Sequence, residues 1–180
     1  MNKTSWHGSI IDKNVTARFK KLGDLGENIA VTLLLRAGFE QIINLNKERR
    51  NTKHFDLTAK RGSQSFAISV KARNRFENSV AGVKLNSRYK LTDDPGLFES
   101  EAKEIYNCIP AWIAIPIDIK AGTFDAYFGE LKDLKGNKKG IIISSQAISQ
   151  YQSLAHNEPV ENIGIQKEDL VLLQNKYERR

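Results

Sequence analysis

Residues 54–73, HFDLTAKRGSQSFAISVKAR, decide the fold. Read with a period of two, they divide into an apolar set (Phe55, Leu57, Ala59, Phe66, Ile68, Val70, Ala72) and a polar set (His54, Asp56, Thr58, Ser69, Lys71, Arg73). Such alternation marks two strands with one face on a core. Arg61-Gly62-Ser63-Gln64 supplies the turn. Pairing Lys60 with Ser65 sets Asp56 opposite Ser69, with Lys71 two residues further along the same face. An acid, a hydroxyl and a lysine thus converge on rigid strands, a combination suited to a metal ion and a phosphate.

Upstream, Leu22, Leu25, Ile29 and Leu33 follow helical spacing, which predicts a buried helix from about Thr16 to Ala37, stopped by Gly38. Asp24-x-x-Glu27 also fits a capping box, but the helical character of residues 16–21 puts Glu27 inside the helix. Residues 1–14 show no period. Residues 1–15 are therefore taken as an N-terminal arm and 16–180 as the domain. A short strand at about residues 41–45 and a polar loop, 46–53, lead into the hairpin.

Downstream of Arg73 the chain reads as irregular through the turn Asp93-Asp94-Pro95-Gly96. A helix follows over about 97–107. Strands are expected at AWIAIPIDI, which places Trp112 in the core, at TFDAYFGEL, and at 141–143; helices are expected at about 145–154 and 167–177. This order predicts an α/β fold, a mixed central sheet flanked by helices in one domain.

Composition sets limits on function. The chain has 180 residues, of which 40% are hydrophobic, enough for one substantial core. Lys and Arg number 28 against 21 Asp and Glu, a net charge of +7 that favours a polyanionic partner. Cys108 is the single cysteine, so no internal disulfide forms and a reducing cytoplasm is expected. No stretch approaches a membrane span and the N-terminus lacks the apolar run of a leader, so no membrane association is expected.

Taken together, the Gly26-Glu27 pair in GDLGENIAVTLLLRAGF, the strand acid in HFDLTA and the Ser-x-Lys of FAISVKAR resemble the PD-(D/E)XK nuclease superfamily. The branch that this arrangement is most similar to holds Holliday junction resolvases and Mrr-type restriction endonucleases. The resemblance covers residues 18–75 well and is looser beyond. It implies the restriction endonuclease-like fold and a metal-dependent endonuclease that hydrolyses DNA phosphodiesters, acting as a homodimer. It assigns catalytic positions to Glu27, Asp56, Ser69 and Lys71, with Glu27 and Asp56 as ligands of Mg²⁺ or Mn²⁺ and Lys71 orienting the attacking water.

Position 69 departs from the pattern. The family has Glu or Gln there, whereas a serine hydroxyl is a weak Mg²⁺ ligand. Some members with Ser-x-Lys take the missing carboxylate from a following helix, which makes Glu99, Glu101 and Glu104 candidates. Without a replacement, the alternative is a nuclease-fold protein that binds DNA or acts as an adaptor without cutting. Arg49, Arg50 and Lys53 in the loop before Asp56, with Arg73 and Arg75 beyond Lys71, are the expected contacts to nucleic acid. Lys84, Arg88 and Lys90 form a second set. His54 reads as structural.

Overall fold

The hairpin forms in the register set by its turn, and the rest of the molecule is built around it. The computed structural model describes residues 8–48, 54–79, 82–136, 138–171 and 173. In chain order the elements are α1 (Gly8–Arg36), β1 (Glu40–Asn44), α2 (Leu45–Glu48), β2 (Leu57–Arg61), β3 (Gln64–Asn74), β4 (Phe76–Ser79), β5 (Gly82–Leu85) and β6 (Arg88–Lys90). Then come α3 (Pro95–Glu104), β7 (Ile109–Asp118), β8 (Thr123–Glu130), β9 (Gly140–Ile142), α4 (Ser145–Ile148), β10 (Gln152–Pro159) and α5 (Lys167–Val171). Lys60 lies opposite Ser65 and Leu57 opposite Ile68, while Gly62 takes the left-handed conformation that closes the turn.

Six strands form the central sheet in the order β1-β2-β3-β7-β8-β10. Only the β3–β7 pairing in it is parallel, and the intervening chain, with α3, makes that crossover. Asp94 caps the start of α3 by accepting from the Gly96 and Leu97 amides at 3.0 and 3.1 Å, with Pro95 in the first turn.

Both faces of the sheet are buried, which corrects the reading of the hairpin as apolar on one side and polar on the other. The first core joins Leu57, Ala59, Phe66, Ile68 and Val70 to Ile29, Leu33 and Leu34 of α1. The second packs Ala67, Trp112, Ala114 and Tyr127 under Phe98 and Ala102 of α3 and Tyr89 and Ile141 of the β6–β9 pair. Phe55 belongs to this second core, because regular pairing starts only at Leu57 and the alternation breaks there. Trp112 is fully buried, as expected, and fits because Gly129 opposite it has no Cβ to overlap the indole.

Other elements differ from the sequence reading. Helix α1 begins at Gly8, so residues 8–15 of the expected arm are helical in backbone. The segment read as irregular after Arg73 holds the β4–β5 ribbon and β6. The helix expected over 145–154 is one turn long, and the chain then becomes the edge strand β10. Among the described residues no helix is long and apolar enough to cross a membrane.

Candidate active site

Two acids meet at one margin of the sheet. Gly26 packs directly on Ala72 of β3, where any Cβ would overlap the Ala72 methyl, so α1 runs unusually close to the strand. This close approach brings the next residue, Glu27, over the sheet edge. Asp56 sits just ahead of β2, held from both sides: its amide donates to the Ile68 carbonyl at 2.9 Å, and its Oδ2 accepts from the Val70 amide at 2.7 Å. Both carboxylates are half-buried.

Asn46 joins them. Its Nδ2 donates to Glu27 Oε1 at 2.8 Å and to Asp56 Oδ1 at 3.1 Å. Asn44 donates to the other Glu27 oxygen, Oε2, at 2.9 Å, while its own Oδ1 accepts from the Lys47 amide at the start of α2. Burial, with the Asp56 charge adding to it, raises the Glu27 pKa above its usual 4.5, against the lowering effect of the two asparagine hydrogen bonds. Neither asparagine was singled out from sequence. They fall at the end of a short strand and in a polar loop, where Asn is ordinary, and their spacing of two residues was the available signal.

Ser69 and Lys71 continue the site along β3. The last β2–β3 pair is Leu57 opposite Ile68, and Asp56, one residue before it, reaches β3 on either side of Ser69, at the Ile68 carbonyl and the Val70 amide. Ser69 is fully buried and its hydroxyl has no hydrogen-bond partner among the described residues. Lys71 is half-buried, beside Ala114 of β7, and makes no ion pair among the described residues. A cross-strand salt bridge with Asp56 therefore does not explain its place.

The candidate replacements for a third carboxylate are engaged elsewhere or exposed. Glu99 pairs with Lys103 at 2.8 Å on the surface of α3, and Glu104 is exposed. Glu101 is clasped by His54 Nδ1 at 2.6 Å, both side chains nearly buried, and the imidazole also packs on Phe98. His54 thus ties the entry of β2 to α3, the structural role expected of it. Among the described residues no group of three or more His, Cys, Asp or Glu is placed to hold a metal together.

The basic residues divide. Arg73 is exposed, with its guanidinium 5.7 Å from the Tyr89 ring centre. Arg75 is tied to Asp125, itself 2% exposed, at 2.8 Å. Arg88 is exposed and Lys90 pairs with Asp93 at 2.8 Å. Arg49, Arg50 and Lys53, and the side chain of Lys84, lie outside the described residues.

Two hard-oxygen acids facing one another suit a small divalent cation that keeps several waters, as Mg²⁺ does when bound through one or two carboxylates. The donor set therefore fits one such ion.

The fold is similar to that of a solved structure. The 1.6 Å structure of Archaeoglobus fulgidus Hjc, described as a Holliday junction resolvase from an archaeal hyperthermophile, superposes with a TM-score of 0.50 over 74% of this chain and 97% of that one, at 16% identity. No protein-family model and no curated protein matches the chain. The fold is a restriction endonuclease-like fold, a mixed six-stranded sheet flanked by helices.

Proposed function

We propose that the protein is a metal-dependent endonuclease acting on DNA phosphodiesters. The observation that carries this reading is the meeting of Glu27 from α1 and Asp56 from the hairpin on one amide, with Lys71, which makes no ion pair among the described residues, further along β3. Chance charge on a solvated surface does not require a helix glycine to bring the acid in.

Glu27 and Asp56 would hold the ion, and Asp56 is already oriented by the Val70 amide. A bound Mg²⁺ or Mn²⁺ supplies charge neutralisation at the phosphoryl oxygen and a more acidic water. Lys71 would orient a water and offset charge developing at the phosphate. Ser69 would add a hydrogen bond from its hydroxyl. Arg73, exposed beyond Lys71, would contact a phosphate of the substrate backbone. Arg49, Arg50 and Lys53, outside the described residues, would add basic charge for the same backbone, and Arg75 is paired with Asp125. Cleavage of both strands calls for two sites related by a two-fold axis, hence a homodimer.

Purified Asp56→Ala tests the reading: cleavage of duplex DNA in Mg²⁺ is expected to vanish while the circular dichroism spectrum stays unchanged. A variant that cuts as well as the native chain refutes it. One observation favours a second reading, a DNA-binding or adaptor protein that does not cut: Ser69 stands where the third acid belongs, and no third acid is placed beside it among the described residues. That reading predicts salt-sensitive DNA binding without cleavage in either metal.

A further inference from the structure

The amide that joins the two acids stands where a third ligand is needed. We propose that Asn46 is a metal ligand of this site, its carboxamide turning to present Oδ1 to the ion in place of the missing carboxylate at position 69. The inference rests on the metal-binding reading above.

Three observations carry it. The first is distance. In an octahedral Mg²⁺ site with ligands at about 2.1 Å, neighbouring ligand oxygens lie about 3.0 Å apart. Asn46 Nδ2 lies 2.8 Å from Glu27 Oε1 and 3.1 Å from Asp56 Oδ1. The amide end thus sits at a distance from both acids that neighbouring ligands of one ion would also keep. A half turn about its last torsion exchanges Nδ2 for Oδ1 with almost no change of shape.

The second is electrostatic. With no cation between them, two carboxylates accept only a donor, so the amino end faces them. With a cation between them, the carbonyl end is favoured. The two orientations answer two charge states of one site.

The third is anchoring. The amide of Leu45 donates to the Asp56 carbonyl at 2.9 Å, which fixes the chain beside Asn46 to the hairpin. Of the two acids, Asn44 reaches Glu27 alone, whereas Asn46 reaches both, so Asn46 is the residue beside a cation shared by the two.

The test is calorimetric titration of Mn²⁺, then Mg²⁺, into the full chain, with melting temperatures in EDTA and in each metal. Asn46→Ala is expected to weaken Mn²⁺ binding about tenfold or more, the scale of loss typical around metal sites. Asn46→Asp is expected to bind Mn²⁺ more tightly than the native chain. It should also melt lower in EDTA, where three acids repel, and gain more from added metal. Asn46→Asp keeps the side-chain volume and carries the test alone should Asn46→Ala not fold. Native affinity in Asn46→Ala, or an Asn46→Asp that binds no more tightly than the native chain, overturns the inference and leaves the nuclease reading standing. A native chain that takes up no metal, like an Asp56→Asn control, overturns both.

Discussion

The two faces of the central sheet are made to different rules. Under α1 the core is aliphatic and aromatic, from Leu22 and Ile29 through Leu57, Ile68 and Val70 to Ile113 and Phe128. Its polar contribution comes at the margin, where Glu27 leaves the helix. The face under α3 and the β6–β9 pair buries Ser69 and Asp125, leaves the hydroxyls of Ser69 and Tyr89 without partners among the described residues, and carries Lys71 and Arg73 in line with Ser69. Burial also pushes the Tyr89 hydroxyl above its ordinary pKa. Unpartnered buried oxygens each cost on the order of 1–3 kcal/mol. One face therefore supplies stability and aims one acid; the other gives up some stability to hold polar groups near the site.

The contrast is most easily broken at Gly26. Gly26→Val forces a side chain into Ala72, lifts α1 from β3 and is expected to cost about 3 kcal/mol in urea unfolding. It should also weaken cleavage, because Glu27 is displaced. A variant of native stability would show that the close approach does not matter.

On the other face, Asp125→Ala strands the Arg75 guanidinium. The loss expected is about 2 kcal/mol, below that of a fully buried pair because Arg75 is 33% exposed. The measurement is the same, and an unchanged unfolding midpoint would make the pair ornamental.

Ser69→Ala is expected to act in the opposite direction, raising stability by about 1 kcal/mol as an unsatisfied hydroxyl is removed. A destabilised Ser69→Ala would reveal a partner for that oxygen and blur the distinction between the faces.

The smallest effect is a pH dependence. The Glu27 pKa is raised in the fold, so in EDTA the native state loses stability as pH climbs from the ordinary 4.5 through the raised value, where the unfolded chain gives up its proton first. Below 4.5 the penalty is absent. Glu27→Gln should lack this decline above the ordinary 4.5, and parallel profiles for the two proteins would contradict the burial of Glu27 beside Asp56.

Much of this was legible from the chain. The turn at residues 61–64 fixes a two-residue period, so the β2–β3 register, from Arg61 opposite Gln64 to Leu57 opposite Ile68, follows from local sequence alone. Glu27 inside a helix was legible too, because the apolar spacing runs through it. The strand β10 was not. Its sequence QSLAHNEP is polar because it lies at a sheet edge with two register shifts against β8, so tertiary pairing rather than alternation makes it a strand. The second core escaped for a related reason. Ala67 and Ser69 are small, and small residues on a strand do not announce that Tyr89, Phe98 and Trp112 will cover them. The role of Asn46 needed three elements in place at once.

The most direct test of the central claim is cleavage of supercoiled plasmid and of a labelled four-way junction by the native chain and by Lys71→Ala, in Mg²⁺ and in Mn²⁺, with EDTA as control. Nicked, linear or resolved products that require metal and fall at least about a thousandfold in Lys71→Ala are the predicted result. DNA bound but left whole in both metals, or cutting that Lys71→Ala retains in full, would contradict it.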